Sequence, residues 1–191
     1  MIKRFKISTI SIKRTKRNGF SLVELLLVLA IIAALSVTAF IIYVKVSDNM
    51  RVAKEIFNIT NARASIVSMY KSAPSYEGIN SLPEETLRMI FNSTMFKSGG
   101  MGQPFNTYGG QVAVVPVSIG SNMNAGFMLS SPMVPNDDCI KIVSGLKGSF
   151  MGIDVNGETL KEKSSDIVSN NAIISACSRN DSNVIGFTDR G

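Results

Sequence analysis

The pattern of apolar and polar positions predicts one long helix at the start of the chain. Phe20 to Val44 is almost entirely apolar, and as a helix it would span about 37 Å, against about 30 Å for the hydrocarbon core of a membrane. Neither Pro nor Gly occurs from Phe20 to Ala73, so the helix is predicted over residues 20–73, with 20–44 as its membrane-spanning part. Pro74 disfavours the helical conformation at the residue before it and ends the helix.

The half of this helix that follows the apolar stretch is amphipathic. Seven apolar or small residues recur at alternating spacings of four and three, which places them on one helix face: Val46, Met50, Ala53, Phe57, Thr60, Ala64 and Val67. A second row lies beside them: Val52, Ile56, Ile59, Ile66 and Tyr70. The two rows together form a wide apolar arc, which favours packing on a sheet, and the alternative is a coiled-coil seam between two helices.

Residues 74–191 are predicted to form a globular domain with short helices. Ser81-Leu82-Pro83-Glu84 has the spacing of a capping box and predicts a helix to about Phe91. The segment from Pro135 to Asp138 predicts the start of another helix, which Gly148 would close. The glycine-rich residues 98–110 are predicted to form a loop, and residues 161–165 an exposed turn.

Between these helices the sequence predicts β-strands. Runs rich in apolar and β-branched residues occur at 111–119, 126–130, 150–155 and 184–187. Residues 120–122 connect the first two strands, and Asn156-Gly157 is typical of a tight hairpin turn. The expected fold is therefore α+β, with the long N-terminal helix packed on a small, mainly antiparallel sheet.

The positive charge of the chain is concentrated before Phe20. The first 19 residues hold 7 of the 20 Lys and Arg residues and none of the 14 Asp and Glu residues. The net charge of +6 therefore belongs to this leader, and it does not indicate nucleic acid as a partner. Basic residues beside an apolar span stay in the cytoplasm, so we expect the N-terminus inside the cell and residues after about Lys45 outside.

Glu24 is the only acidic or basic residue between Phe20 and Val44. A carboxylate in lipid is costly, so its presence indicates a function and a partner. Two simpler interpretations are an uncleaved single-pass anchor and a secretory signal peptide cut after Ala39. Glu24 disfavours both, because an anchor gains nothing from a carboxylate and a signal peptide rarely carries one. The helical pattern also continues without a break beyond Ala39.

The segment Asn18-Gly19-Phe20-Ser21-Leu22-Val23-Glu24, with the five apolar residues after it, resembles the processing and assembly segment of type IV prepilins and their pseudopilin relatives. The resemblance implies that a prepilin peptidase removes residues 1–19 by cutting between Gly19 and Phe20 and methylates the new Phe20 amine. That amine would neutralise Glu24 when helices assemble, because an opposite charge favours the ionised carboxylate. The sequence leaves open whether the two groups meet between copies or within one.

The exported domain resembles the PilS-type pilins of the type IVb group. The resemblance lies in residues 105–110, the strand, turn and strand that follow, and the segment Pro135 to Cys139. In that family paired cysteines staple a C-terminal region to the helical core, which implies a disulfide between Cys139 and Cys177. An even number of cysteines in an exported domain also favours a disulfide, and the alternative is two unpaired buried thiols.

Together these features predict a structural subunit of a type IV pilus. Its precursor would reside in the bacterial cytoplasmic membrane, and inner-membrane assembly machinery would polymerise it into an extracellular helical homopolymer. A minor pilin and a type II secretion pseudopilin are the alternatives within this class. Conjugation, adhesion, aggregation and motility remain open as the purpose of the pilus.

An anchored enzyme or sensor is the alternative from a different class. The chain has no His, so a hydrolase would need a Ser-Lys pair, paired carboxylates or a carboxylate-held metal. The adjacent acids Glu84-Glu85 and Asp137-Asp138 are better explained by the preference of acids for helix starts. Asp181 and Asp189 do not match a calcium loop. We therefore predict no catalytic residue, no metal and no cofactor.

Overall fold

The computed structural model describes residues 20–96 and 102–190. Its helices are α1 (Leu22–Tyr70), α2 (Glu84–Ile90), α3 (Asn136–Leu146) and α4 (Asn170–Cys177), with short 3-10 helices at Ile79–Ser81 and Ser93–Met95. The chain divides into two compact units, one ending at Lys45 and the other beginning at Val46. The long helix predicted from the absence of Pro and Gly is present.

The second unit contains one five-stranded sheet. Its strands are β1 (Ala113–Ile119), β2 (Asn122–Pro135), β3 (Gly152–Val155), β4 (Glu158–Lys161) and β5 (Ser182–Asp189). The strand order is β1-β2-β5-β3-β4, and every neighbouring pair is antiparallel. The last strand of the chain therefore lies in the centre of the sheet. The predicted α+β fold with a mainly antiparallel sheet is confirmed.

Alternate residues of the central strands form the core together with α1. Phe127 and Leu129 of β2 are buried, as are Ile185 and Phe187 of β5, and they belong to the same apolar cluster as Ile59 of α1. Alternation with period two is what a sheet covered on one face requires. This regularity explains why the strands were predictable from the sequence.

Two predicted turns occur where expected. Asn156 and Gly157 both adopt positive φ angles, 57° and 82°, and join β3 to β4 as a two-residue hairpin. This conformation is the one that the Asn-Gly sequence favours, because both residues tolerate the left-handed region. Ile119 pairs with Asn122, so the turn between β1 and β2 also lies at its predicted place.

One part of the apolar arc predicted on α1 is buried, and the other part is exposed. Within the second unit, α1 buries six residues: Val52, Glu55, Asn58, Ile59, Ala62 and Ile66. Val52, Ile59 and Ile66, which belong to the second predicted row, are buried in the core. The 46–67 row is exposed from Val46 to Ala64, with Phe57 in its middle 57% exposed, and its last residue, Val67, packs against the core. The sequence did not indicate that the buried face also includes Glu55 and Asn58, because both side chains are polar. The sequence does not reveal that a polar side chain has partners inside the fold.

Three local predictions also need correction. The capping box does not form, because the Ser81 hydroxyl donates to the Gly78 carbonyl and Pro83 occupies the N-cap position of α2. Lys161 is not in an exposed turn but is buried at the end of β4. Its ammonium group donates to the carbonyls of Lys147 (2.7 Å) and Phe150 (2.8 Å), just after α3. Helix α4 and strand β4 were not predicted.

Glu55 is fully buried in α1 and holds the loop before β1 against the helix. Its carboxylate accepts hydrogen bonds from the Thr107 amide (3.0 Å), the Thr107 hydroxyl (3.1 Å) and the Ser131 hydroxyl (2.9 Å). Asn106 completes the network: its side-chain amide donates to the Ser131 hydroxyl, and its carbonyl accepts from the amide of Gly110. Three elements far apart in sequence therefore meet at one buried carboxylate.

The same loop packs tightly around its last residues. A Cβ atom at Gly110 would lie 2.4 Å from the Pro132 carbonyl oxygen, so only glycine permits this approach. Tyr108 lies between α1 and α3, and burial raises the pKa of its hydroxyl above the ordinary value, with the Asp138 carboxylate adding to the effect. The loop is thus part of the folded core and not a surface appendage.

We predict that Glu55→Ala destabilises the folded domain by about 3 kcal/mol, because three buried donors lose a charged acceptor. Denaturant unfolding of the detergent-solubilised chain, followed by near-ultraviolet circular dichroism, measures the change. Glu85→Ala is the matched control: Glu85 is exposed on α2, and its loss should cost less than about 0.5 kcal/mol. Equal unfolding midpoints for the two variants would contradict the role of Glu55.

Candidate functional site

The first turn of α1 brings together the residues singled out from the sequence. The helix begins at Leu22, and Ser21 immediately precedes it, with its carbonyl accepting a hydrogen bond from the Leu25 amide (3.1 Å). Glu24 lies in the first helical turn, and both it and Phe20 are exposed. Gly19, the other residue of the predicted cleavage site, lies outside the described residues.

The position of Glu24 has a local physical explanation as well. A carboxylate in the first turn interacts favourably with the positive end of the helix dipole. Ser21 and Glu24 also have the Ser-x-x-Glu spacing of a capping box. The helix dipole explains why an acid such as Glu24 is favourable at a helix start in water. It does not explain why an acid occurs in a segment that is otherwise apolar.

The rest of the first unit is an apolar helix surface without internal cover. From Leu22 to Val44 every large apolar side chain is exposed. In the described part of the chain, α1 is the one helix long and apolar enough to cross a membrane by length and composition. Burying a single Leu, Ile, Val or Phe side chain stabilises by roughly 1.5–3 kcal/mol, so this surface requires lipid or other protein around it.

The few polar groups of this stretch are arranged to suit such surroundings. The Ser36 hydroxyl donates to the Ile32 carbonyl (2.8 Å), and the Thr38 hydroxyl donates to the Ala34 carbonyl (2.7 Å). Both hydroxyls are therefore satisfied within the helix, and neither needs an external partner. Glu24 remains the one side chain of the apolar stretch that carries a charge.

The disulfide region forms the second feature. Cys139 of α3 and Cys177, the last residue of α4, are joined in a disulfide with their Cα atoms 5.9 Å apart, and both are buried. The bond links α3 to the segment that leads into β5, the central strand. The expected pairing of the two cysteines is therefore present in the fold.

Two asparagines reinforce this region, and apart from the Asn-Gly turn no sequence pattern indicated their role. The Asn156 side-chain amide donates to the Asn183 carbonyl oxygen (2.7 Å), and Asn156 accepts a hydrogen bond from the Val184 amide (2.9 Å). The buried Asn183 amide in turn donates to the Val134 carbonyl (3.2 Å). The hairpin turn, β5 and the end of β2 are thereby connected.

An ion pair connects the end of the chain to α1. The Arg63 guanidinium pairs with the buried Asp189 carboxylate at the end of β5. The Tyr76 hydroxyl donates to the Arg190 carbonyl (2.8 Å) beside it. Asp189 therefore serves the fold, and within residues 20–96 and 102–190 no group of three or more His, Cys, Asp or Glu side chains is placed to hold a metal ion.

The acids considered as paired carboxylates take the places expected of helix-start residues. Glu84 and Glu85 lie in the first turn of α2, and Asp137 and Asp138 lie in the first turn of α3. Glu84 also pairs with Arg88 one turn later. Helix electrostatics explains their positions at the helix starts, and Asp138 also acts on the buried Tyr108 hydroxyl.

Two family models match the chain. One is described as the prokaryotic N-terminal methylation motif and covers residues 14–40. The other is described as PilS N terminal and covers residues 48–190. The first therefore includes Phe20 and Glu24, and the second covers almost all of the second structural unit.

Individual proteins agree with these models. The chain is similar to the major structural subunit of bundle-forming pilus from Escherichia coli, with 23% identity over 74% of this chain and 72% of the relative. Its fold is that of the type IV b pilin from Salmonella typhi, with a TM-score of 0.57, 22% identity, and coverage of 73% of this chain and 99% of that one.

A second solved structure supports the same fold at lower identity. TcpA, a type IV pilin from Vibrio cholerae, matches with a TM-score of 0.56 and 12% identity, again over 73% of this chain and 99% of the other. A match to the PilS model over residues 48–190, on a helix and sheet of this topology, establishes the family. The chain belongs to the PilS family and carries the prokaryotic N-terminal methylation motif.

Proposed function

We propose that this protein is a structural subunit of a type IV pilus, made as a membrane-bound precursor and polymerised through its N-terminal helix. The observation that carries the proposal is the exposed apolar half of α1 with a single carboxylate, Glu24, just after the Gly19-Phe20 junction. The methylation motif and the PilS family support it. The function named for the Escherichia coli relative is of the same kind.

The proposed precursor lies in the cytoplasmic membrane. The basic leader, residues 1–19, keeps the N-terminus inside, and the apolar half of α1 crosses the lipid. A prepilin peptidase cuts after Gly19, a residue whose missing side chain lets an enzyme approach the backbone closely. The same enzyme methylates the Phe20 amine, which keeps its positive charge.

In the proposed filament the apolar helices leave the lipid and bundle together. Glu24 then enters an apolar interior, where a carboxylate without a partner is costly. The Phe20 amine of a neighbouring copy supplies an opposite charge and offsets part of the cost of removing the carboxylate from water. In this proposal, assembly depends on cleavage, because only a cleaved chain has the Phe20 amine that pairs with Glu24 of a neighbouring copy.

We predict that mass spectrometry of the mature protein finds N-methylated Phe20 as its first residue. Gly19→Leu should leave the leader in place, since the bulky side chain blocks access to the backbone, and the band on a gel should not shift. A mature chain that begins at Phe40 would instead identify a signal peptide, and one that begins at Met1 would identify a plain anchor. Either result would overturn the proposed processing.

We further predict that Glu24→Gln is cleaved normally but fails to form filaments. Removing one member of a buried ion pair costs about 3 kcal/mol, or about a hundredfold in subunit affinity. Filaments are counted by electron microscopy and measured in the sheared fraction by immunoblotting. Ser36→Ala is the control within the same stretch, because its hydroxyl bonds only its own helix, and it should assemble like the parent. Normal filaments from Glu24→Gln would refute the role of the charge.

A further inference from the structure

The turn between β3 and β4 contains a reactive pair of residues, Asn156-Gly157. The chain has one other Asn-Gly pair, Asn18-Gly19, which lies in the leader. In such a pair the backbone nitrogen of the glycine can reach the side chain of the asparagine, because glycine has no side chain to hinder the approach. This makes Asn156 a candidate for deamidation, a reaction that needs only water.

The reaction has two steps. The Gly157 backbone nitrogen attacks the side-chain carbonyl carbon of Asn156 and loses its proton to solvent, while the carboxamide nitrogen takes up a proton and leaves as ammonia. Water then opens the resulting succinimide ring and gives aspartate or isoaspartate at position 156. The net change is the exchange of a neutral carboxamide for a carboxylate.

The turn itself does not require an asparagine. Two-residue hairpin turns of this kind accept Asp-Gly and Gly-Gly as well as Asn-Gly. The contacts of the Asn156 side chain are specific to a carboxamide. Its amide donates to the Asn183 side-chain oxygen (2.7 Å) and the Ala176 carbonyl (3.3 Å), and its oxygen accepts from the Val184 amide (2.9 Å). An aspartate could not donate the first two bonds.

These contacts restrain both reacting groups in the folded domain. Ring closure requires the Asn156 carboxamide to leave its three partners and approach the Gly157 nitrogen. The N–H of Gly157 is itself donated to the Asp154 carboxylate (2.9 Å). The turn therefore has to open locally before it can react.

The disulfide limits that opening. Ala176 directly precedes Cys177, the last residue of α4, and Asn183 is the second residue of β5. Cys177 is buried and joined to Cys139 of α3. The bond thus fixes one end of the short segment that separates the two acceptors of the carboxamide. Without the bond, the end of α4 and the start of β5 lose this restraint, and both acceptors can move away from the turn.

We propose that Asn156 is a latent deamidation site that the Cys139–Cys177 disulfide keeps closed in the folded subunit. A subunit that has not formed the disulfide, or has lost it, reacts at this turn. The product then resists refolding, because a carboxylate at position 156 faces two acceptors with no proton to donate. Isoaspartate also adds a backbone atom to a turn that sets the register of β3 and β4. Deamidation therefore removes subunits without the disulfide from the folded population, whether or not the chain forms filaments.

The first test compares the disulfide-bonded chain in detergent with a Cys139→Ser, Cys177→Ser variant, which cannot form the bond. Mass spectrometry of proteolytic peptides measures aspartate and isoaspartate at position 156 over time. The disulfide-bonded chain should react at least about a hundredfold more slowly, because its turn must open first. Asn92, which is exposed and followed by Ser93, is the reference in the same samples, and its rate should change far less between the two chains.

Two results of this comparison would overturn the proposal. Equal rates at Asn156 in the two chains would show that the disulfide does not close the site. A faster reaction in the disulfide-bonded chain would show that Asp154 activates the Gly157 nitrogen instead of restraining it.

The second test examines the product of the reaction. Asn156→Asp should lower the yield of disulfide-bonded, protease-resistant subunit on refolding by about tenfold or more, because two buried acceptors lose their donor and face a charge. Asn156→Gly is the matched control, since glycine suits the positive φ angle and removes the same contacts without adding a charge. It should refold in higher yield than Asn156→Asp. If Asn156→Asp refolds as well as the parent, or no worse than Asn156→Gly, the proposed loss of deamidated subunits is wrong.

Discussion

The constraint on which this molecule depends is an apolar helix surface that its own fold does not cover. From Leu22 to Val44 the large side chains of α1 are exposed, and the only charge among them is Glu24. The apolar side chains of this surface are stable in lipid. The carboxylate near the helix start is the one group among them that lipid disfavours. Moving this helix from lipid into a protein filament requires neighbouring copies that cover its apolar side chains and supply a positive charge for Glu24. The first helix therefore needs lipid in the proposed precursor, and apolar neighbours with a countercharge in the proposed filament.

In the second unit, contacts with the sheet and its loops hold the remaining part of α1 in a fixed orientation. Glu55 and the Arg63–Asp189 ion pair determine which side of the helix faces the sheet. The side left outside is then apolar, with Phe57 at its centre. The buried polar groups thus help to determine which of the two apolar rows joins the core. The disulfide and the Asn156–Asn183 contact hold the central strand in place behind it.

Periodic features of the chain were predictable from the sequence, and features created by distant contacts were not. The long helix, the hairpin at Asn156-Gly157 and the start of α3 follow from local preferences, and the structure contains all three. The orientation of α1 did not follow, because it depends on Thr107 and Ser131 meeting Glu55 across more than fifty residues. The motif around Phe20 was recognisable because its chemistry is contained in a few adjacent residues.

The most direct test of the account is the distance between the Phe20 amine and the Glu24 carboxylate in assembled filaments. Filaments are grown from a mixture of copies carrying ¹⁵N-phenylalanine and copies carrying ¹³C-carboxyl glutamate, and solid-state NMR measures the coupling between the two labels. The account predicts an ionised Glu24 carboxylate within about 4–6 Å of an amine from a different copy. A protonated carboxyl, or no coupling between differently labelled copies, would contradict it.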